Sequence, residues 1–264
     1  MDLGLRGKVV VVTGASQGIG LAVVRAFREE GALVVAGSRR SSDELDALIA
    51  GGGVVHEPVD LSTAAGADAL VARATGDHGR LDVLVNNVGA GSVRSGFLEV
   101  TDEEWQRTID LNLLAAVRCS RAALPALTDG GGSIVNIASV NSFQPDPSVV
   151  DYCVAKAALA SLSKVLSMEF GAQGVRVNAV APGPVRTPFW VGPGGVAEQI
   201  QAAAGTDFAG ALEVAKSAWG GLALDNFFTE PEQVATLVVL LASERTGNVT
   251  GSVYVTDGGL LKTL

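Results

Sequence analysis

The stretch Val9-Val10-Val11-Val12-Thr13-Gly14-Ala15-Ser16-Gln17-Gly18-Ile19-Gly20 decides how the rest of the chain reads. A continuous run of β-branched residues is a strand buried on both faces, which belongs to a parallel sheet covered by helices. Glycines at 14, 18 and 20 let the backbone turn sharply and come close to an anion. The apolar run Leu21 to Phe27 continues as a helix whose N-terminus offers free N–H groups and the positive end of its dipole. Strand, glycine turn and helix in that order form a cradle for a dinucleotide pyrophosphate, with Gly14, Ser16, Gln17, Gly18, Ile19 and Gly20 around it. The same residues also fit Gly-x-Ser-x-Gly, the nucleophile turn of a hydrolase. That chemistry needs an acid and then a histidine far downstream, whereas the chain's two histidines, His56 and His78, fall early.

Working outward, short β-branched runs alternate with amphipathic stretches to the end of the chain. The strand candidates are Lys8 to Thr13, Ala32 to Gly37, Val54 to Val59, Leu81 to Asn86, Ser133 to Ala138, Val175 to Val180 and Ser252 to Thr256. Between them, residues such as Leu159, Leu162, Val165 and Leu166 recur at helical spacing. Repeated strand–helix–strand order predicts right-handed crossovers. The expected fold is α/β: a single doubly wound (Rossmann) domain over 1–264, with a parallel seven-stranded sheet and helices on both faces. Residues 184–231 interrupt the rhythm and hold Phe189, Trp190, Phe208, Trp219, Phe227 and Phe228, although aromatics are 5% of the chain. A long insertion beside the carboxyl ends of the strands predicts a substrate lid; plain packing of extra helices is the competing expectation.

Composition narrows the function. A formal net charge of −9 argues against a nucleic-acid groove or a polybasic membrane surface. No apolar stretch reaches membrane-spanning length and Met1 to Lys8 do not resemble a secretory signal, so a cytoplasmic protein is expected. Cys119 and Cys153 have no paired spacing, and neither histidine lies in a ligand motif, so no metal site is expected. His56 falls in a strand-like run and His78 in a polar turn.

The second strand addresses the cofactor. An NAD site wants a carboxylate at its end, about 20 residues past the glycines, for the ribose 2′-hydroxyl. Here the strand ends Gly37-Ser38-Arg39-Arg40, with no acid before Asp43. A guanidinium suits a 2′-phosphate by charge and by planar two-point hydrogen bonding, so Ser38, Arg39 and Arg40 predict NADP(H) over NAD(H).

Tyr152 and Lys156 form Tyr-x-x-x-Lys at the start of an apolar-faced helix. Spacing of i, i+4 puts an ammonium beside a phenol. A nearby cation favours the phenolate and is expected to pull the tyrosine pKa down from ~10 toward neutrality. With only two tyrosines in the chain, a chance match at this spacing is rare.

At this point the sequence resembles the short-chain dehydrogenase/reductase family along essentially its whole length. The matching segments are Thr13 to Gly20, Asn86-Asn87-Val88-Gly89, Asn112, Ser139, Tyr152-x-x-x-Lys156, Pro182-Gly183-x-Val185-x-Thr187 and Asp257-Gly258-Gly259. The resemblance implies a catalytic set of Asn112, Ser139, Tyr152 and Lys156. Tyr152 exchanges the proton with the substrate oxygen, and Ser139 hydrogen-bonds that oxygen. Lys156 holds the nicotinamide ribose, and Asn112 anchors a water that relays protons. Asp60 and Leu61 are implied at the adenine, although Asp60 could equally cap the next helix. Asn87 and Gly89 are implied along the adenosine side, and Pro182, Gly183, Val185 and Thr187 at the carboxamide.

The family's usual Asn-Asn-Ala-Gly reads Asn86-Asn87-Val88-Gly89 here, adding bulk under the cofactor without removing a chemical group. The expected activity is an NADP(H)-dependent ketoreductase or alcohol dehydrogenase acting on a mid-sized, largely apolar ketone or secondary alcohol. An NAD-linked enzyme of the same family and a non-catalytic dinucleotide sensor are the competing expectations. The family likeness implies a homotetramer or homodimer paired through the helices after Asn112 and Tyr152, where the run Ala157 to Ala160 would suit close helix contact.

Overall fold

A computed structural model describes residues 2–218, 221, 224 and 226–262. The strands are β1 (Val9–Thr13), β2 (Leu33–Ser38), β3 (Val54–Pro58), β4 (Val83–Asn86), β5 (Gly132–Ile137), β6 (Val175–Pro182) and β7 (Val253–Thr256). They form a seven-stranded sheet in the order β3-β2-β1-β4-β5-β6-β7, every neighbouring pair parallel. The doubly wound architecture expected from the alternating runs is present, with each strand within a residue or two of its expected place.

The four valines of β1 show why the sheet takes helices on both sides. Successive side chains along a strand point to opposite faces. Val10 and Val12 enter a core with Val24 and Phe27 of α1 (Gly18–Glu29), Leu45 of α2 (Asp43–Ala50) and Val238 of α10 (Pro231–Ala242). Val9 and Val11 enter a second core with Leu70 of α3 (Ala64–His78) and Ala123 of α5 (Ala115–Leu127). Each buried valine contributes roughly 1.5–3 kcal/mol relative to exposure. His78 therefore ends a helix rather than sitting in a turn.

Between β4 and β5 the chain runs through α4 (Asp102–Ile109), a π-helical segment Asp110–Leu114 and α5 without leaving the helix. α6 (Val150–Phe170) follows β5, preceded by a short helical turn Val140–Ser142. Leu159 of α6 is buried, whereas Val165 and Met168 are exposed, so the apolar stripe is wider than the sheet beneath it covers.

Residues 184–231 hold α7 (Pro188–Val191), α8 (Val196–Ala204) and α9 (Phe208–Ala218). Trp190, Phe227 and Phe228 make a small core of their own with Ala215, flanked by Val196, Ile200 and Leu212. Their rings meet edge to face at centroid distances of 4.8 to 5.7 Å. Packing therefore accounts for Phe227 and Phe228, and for part of Trp190. Trp219 lies outside the described residues.

Candidate active site

The strand order reverses between β1 and β4, and the crevice at their carboxyl ends is where ligands bind in open α/β sheets. Two loops are sewn together there. Thr13 Oγ1 accepts from the main-chain N–H groups of Asn87 (2.8 Å) and Val88 (3.0 Å), and Asn87 Nδ2 donates to the carbonyls of Thr13 (2.9 Å) and Gly14 (3.1 Å). Gly14 has φ 65° and Gly18 φ 55°, a region that L side chains avoid. At Gly20 the constraint is approach: a Cβ would strike the Gly14 carbonyl. Gln17 precedes α1 with no side chain capping the helix, leaving its first N–H groups to face the cleft. Val88 lies against Gly14, so its bulk is spent on closing the turn.

The cleft has a volume of about 1960 Å³, twice the upper range for a single small-molecule pocket and enough for a dinucleotide with a second ligand. It brings together Gly14, Ser16, Gln17, Gly18, Ile19, Ser38, Arg39, Arg40, Asp60, Leu61, Asn87, Gly89, Ser139, Tyr152, Lys156, Pro182, Gly183, Val185 and Thr187. Gly20 and Asn112 stand just behind its wall. Two of these, Leu61 and Val185, also bury their side chains in the two cores. Asp60 does not cap α3. Thr63 does, its hydroxyl accepting from Gly66 N, while Asp60 Oδ1 accepts from Ser62 N at 3.0 Å. The hydrogen bonds from Ser62, with the charge of Arg39 adding to them, hold the Asp60 carboxyl below its ordinary range.

Arg39 and Arg40 are exposed at the end of β2. The turn that carries them is fixed from behind. Ser38 Oγ donates to the Arg40 carbonyl at 2.8 Å, and the His56 Nε2 lies 3.0 Å from Ser38 Oγ.

At the other end, four side chains converge. Lys156 is 3% exposed and donates to the Ile137 carbonyl at 2.7 Å, with its ammonium 5.6 Å from the Tyr152 ring centroid. Ser139 accepts from Asn141 N and donates to Asn141 Oδ1, both at 3.2 Å, and its hydroxyl is close enough to the Tyr152 phenol to favour the phenolate. Asn112 Nδ2 donates to the carbonyls of Ala90 (2.7 Å) and Thr108 (2.9 Å), and Asn112 Oδ1 accepts from Ala90 N (3.2 Å). It thus pins the loop after β4 from inside the π-helical segment. Gly89 sits where a Cβ would come 2.8 Å from Asn112 Oδ1 and 3.1 Å from Lys156 Nζ.

The electrostatics correct one expectation. Burial pushes the Tyr152 phenol up to about 12, and the Ser139 hydroxyl offsets only part of that. Burial also pulls Lys156 down to about 8. In the protein alone the ammonium, turned onto the Ile137 carbonyl, adds no lowering of the phenol, and desolvation decides the direction.

A family model described as enoyl-(acyl carrier protein) reductase matches residues 14–261. The chain belongs to the short-chain dehydrogenase/reductase family. It is 35% identical to 3beta-hydroxysteroid dehydrogenase 1 of Eggerthella lenta over 263 residues, covering 97% of this chain and 94% of the relative. It is 33% identical to meso-2,3-butanediol dehydrogenase of Serratia marcescens, covering 96% and 94%. A solved structure of L-sorbose reductase from Gluconobacter frateurii, complexed with NADPH and L-sorbose, superposes with a TM-score of 0.90 at 38% identity and full coverage of both chains.

As an oxidoreductase of this family, the chain also carries site residues that its sequence did not announce. Phe189 stacks on Tyr152 with centroids 6.3 Å apart, Gly91 abuts the same ring, and Asn141 orients Ser139. Only Phe189 left a trace in the sequence, as one aromatic among several in an irregular segment. Among the described residues, no cluster of three His, Cys, Asp or Glu side chains could hold a metal, and no helix is long and apolar enough to cross a membrane.

Proposed function

We propose that the chain is an NADP(H)-dependent ketoreductase or alcohol dehydrogenase acting on CH–OH and C=O groups. The observation that carries this is that Tyr152, Ser139 and a buried Lys156 converge in one dinucleotide-sized cleft, with Lys156 Nζ 5.6 Å from the Tyr152 ring centroid. The residues present fit a dinucleotide: the uncapped start of α1 and Ser16 suit a pyrophosphate, and Gly14, Gly18 and Gly89 line the cleft without side chains. Arg39 and Arg40, with Ser38, would hold a 2′-phosphate, and Asp60 the adenine. Lys156 would hold the nicotinamide ribose, and Val185 and Thr187 the carboxamide.

The bound nicotinamide supplies the hydride. The chain's own residues handle the oxygen. Ser139 donates to the substrate carbonyl oxygen and steadies its growing charge. Tyr152, protonated throughout the neutral range, gives that oxygen its proton. The Lys156 ammonium favours the phenolate left behind, and Asn112 holds the loop that closes the proton path. Oxidation of an alcohol reverses each transfer.

Phe189, Trp190, Val93, Val196 and Ile200 line the substrate side, which supports a mid-sized, largely apolar ketone beneath a lid formed by residues 184–231. Asn141, Asp146 and Ser148 line the same cleft and favour a polyhydroxylated ketone as the competing substrate, like the L-sorbose of the solved relative. The chain pairs with itself through α5 and α6, where Val165 and Met168 are exposed and Leu124, Leu162 and Leu166 line a groove. Two free thiols, Cys119 and Cys153, suit the cytoplasm.

Turnover of apolar and polyhydroxylated ketones, followed through nicotinamide absorbance with NADPH and NADH in parallel, tests the proposal. Turnover with NADPH that Tyr152→Phe abolishes is the expected result. NADPH binding without turnover of any carbonyl would instead mark a dinucleotide sensor, and a preference for NADH would mark the NAD-linked enzyme.

A further inference from the structure

Arg94, in the loop between β4 and α4, is almost fully engaged by acids. Its Nη2 donates to Asp151 Oδ2 (2.6 Å), its Nε to Asp151 Oδ1 (3.4 Å) and its Nη1 to Glu104 Oε1 (2.6 Å). Asp151 is 1% exposed and immediately precedes Tyr152 in the first turn of α6. Asp151 Oδ2 also accepts from Thr108 Oγ1 (2.7 Å), and the Thr108 carbonyl accepts from Asn112 Nδ2 (2.9 Å). One carboxylate thus joins the helix that carries Tyr152 to the helix that carries Asn112.

The loop is held at further points. Arg94 N donates to the Ser148 carbonyl at 2.7 Å, and Val93 N to Gln199 Oε1 of α8 at 3.1 Å. At Gly91 a Cβ would sit 3.1 Å from Tyr152 Cδ2, so the loop lies directly on the tyrosine ring. We propose that Arg94 is a positioning residue for Tyr152: it fastens this wall of the pocket to the first turn of α6 and balances the Asp151 carboxylate buried in that turn. This rests on the carbonyl-reducing role given to Tyr152 above.

A carboxylate this deep stays ionised only where hydrogen bonds and an opposite charge replace water. Burial alone would raise Asp151, but the hydrogen bonds from Arg94 and Thr108, the Arg94 charge and the Tyr152 N–H together hold it below the ordinary range. Arg suits the role because its planar fork engages two acids at once. The other titratable groups around the phenol are Lys156, Cys153 and, beside Cys153, Asp146. Loss of Arg94 leaves an uncompensated negative charge one residue from Tyr152. A like charge disfavours the phenolate, so the tyrosine becomes a weaker acid.

The chain has two tyrosines, so Tyr254→Phe leaves Tyr152 as the sole reporter. On that background, labelled tyrosine followed by 13C NMR gives the pH at which phenolate begins to form, without any turnover. Arg94→Met is expected to raise that onset by about one pH unit, Asp151→Asn to lower it, and the double variant to return it near the starting value. Ketone reduction should fall about 10–100-fold in Arg94→Met, with NADPH affinity held within about twofold. Should Arg94→Met fail to fold, the double variant, which buries no unpaired carboxylate, compared with Asp151→Asn carries the same test. Shifts of the same sign in both single variants, or none, overturn the proposal, as does a parallel loss of NADPH binding. If the unaltered protein reduces no ketone, the proposed activity fails while the NMR onset still judges Arg94.

Discussion

The two ends of the cleft are built on opposite principles. At the floor, Asn112 and Lys156 are 1% and 3% exposed, and each is bound to main-chain carbonyls that belong to the sheet or its first loops. At the mouth, Arg39 and Arg40 stand exposed on a turn held by Ser38, and Asp60 sits in a short loop of its own. Groups at the floor are costly to move, because each would leave a buried partner unsatisfied. Groups at the mouth are solvated and loosely coupled to the cores. In the proposed function the chemistry is thus tied to the fold, whereas cofactor choice would rest on a few surface charges.

Substitutions can break that contrast. The largest effect belongs to Tyr152→Phe, expected to lower kcat about 10²–10⁴-fold while NADPH still binds. Stopped-flow turnover beside a fluorescence titration of NADPH checks it, and a kcat within tenfold of the unaltered protein would take Tyr152 out of the proton transfer. Next comes Phe228→Ala, which removes a ring from the separate aromatic core and should cost about 3–5 kcal/mol locally. If the 184–231 segment covers the substrate alone, KM for the ketone rises and Kd for NADPH does not; a matching rise in both would make the segment part of the cofactor site.

A smaller effect is expected at the mouth. Arg39→Ala should weaken NADPH about tenfold and leave NADH nearly unchanged, in keeping with one partly solvated charged hydrogen bond. Equal losses for both cofactors would shift the 2′-phosphate to Arg40. The smallest is a stability difference set by pH. Lys156 titrates near 8 when folded against an ordinary 10.5, so the folded state holds fewer protons between those values and gains stability as pH rises through them. Tyr152, raised to about 12 from 10, acts in the opposite sense above pH 10. Thermal midpoints should therefore rise for the natural chain relative to Lys156→Met from pH 8 to 10, and a constant gap would contradict the buried-lysine account.

Much of this was legible in the residues themselves. β1, the glycine turn and Tyr152-x-x-x-Lys156 are local patterns, whose spacing alone dictates strand burial, backbone approach and a shared helix face. The seven strands and the absence of an acid at the end of β2 were read in the same way. What stayed hidden depends on contacts between distant segments. Nothing in the sequence aims Arg94 at Asp151, 57 positions away, or turns Lys156 onto the Ile137 carbonyl. For the same reason the tyrosine's acidity came out with the wrong sign: spacing reports proximity, but desolvation is a property of the assembled core. The aromatics of 184–231 divided as no composition could say: Phe227 and Phe228 into packing, Trp190 into packing and the cleft wall, and Phe189 onto the tyrosine.

The π-helical segment Asp110–Leu114 makes the chain intolerant of a change in length at one place. Elsewhere a helix can gain or lose a residue near its end by fraying. A π turn holds one residue more than an α turn, so a deletion here would return the helix to regular α pairing and erase the bulge that aims Asn112. An insertion absorbed as regular helix would instead turn everything on one side by about 100°. Asn112 would then swing off Ala90, and Thr108 off Asp151, without any residue type having altered. Gaps in homologous chains should therefore fall outside this segment.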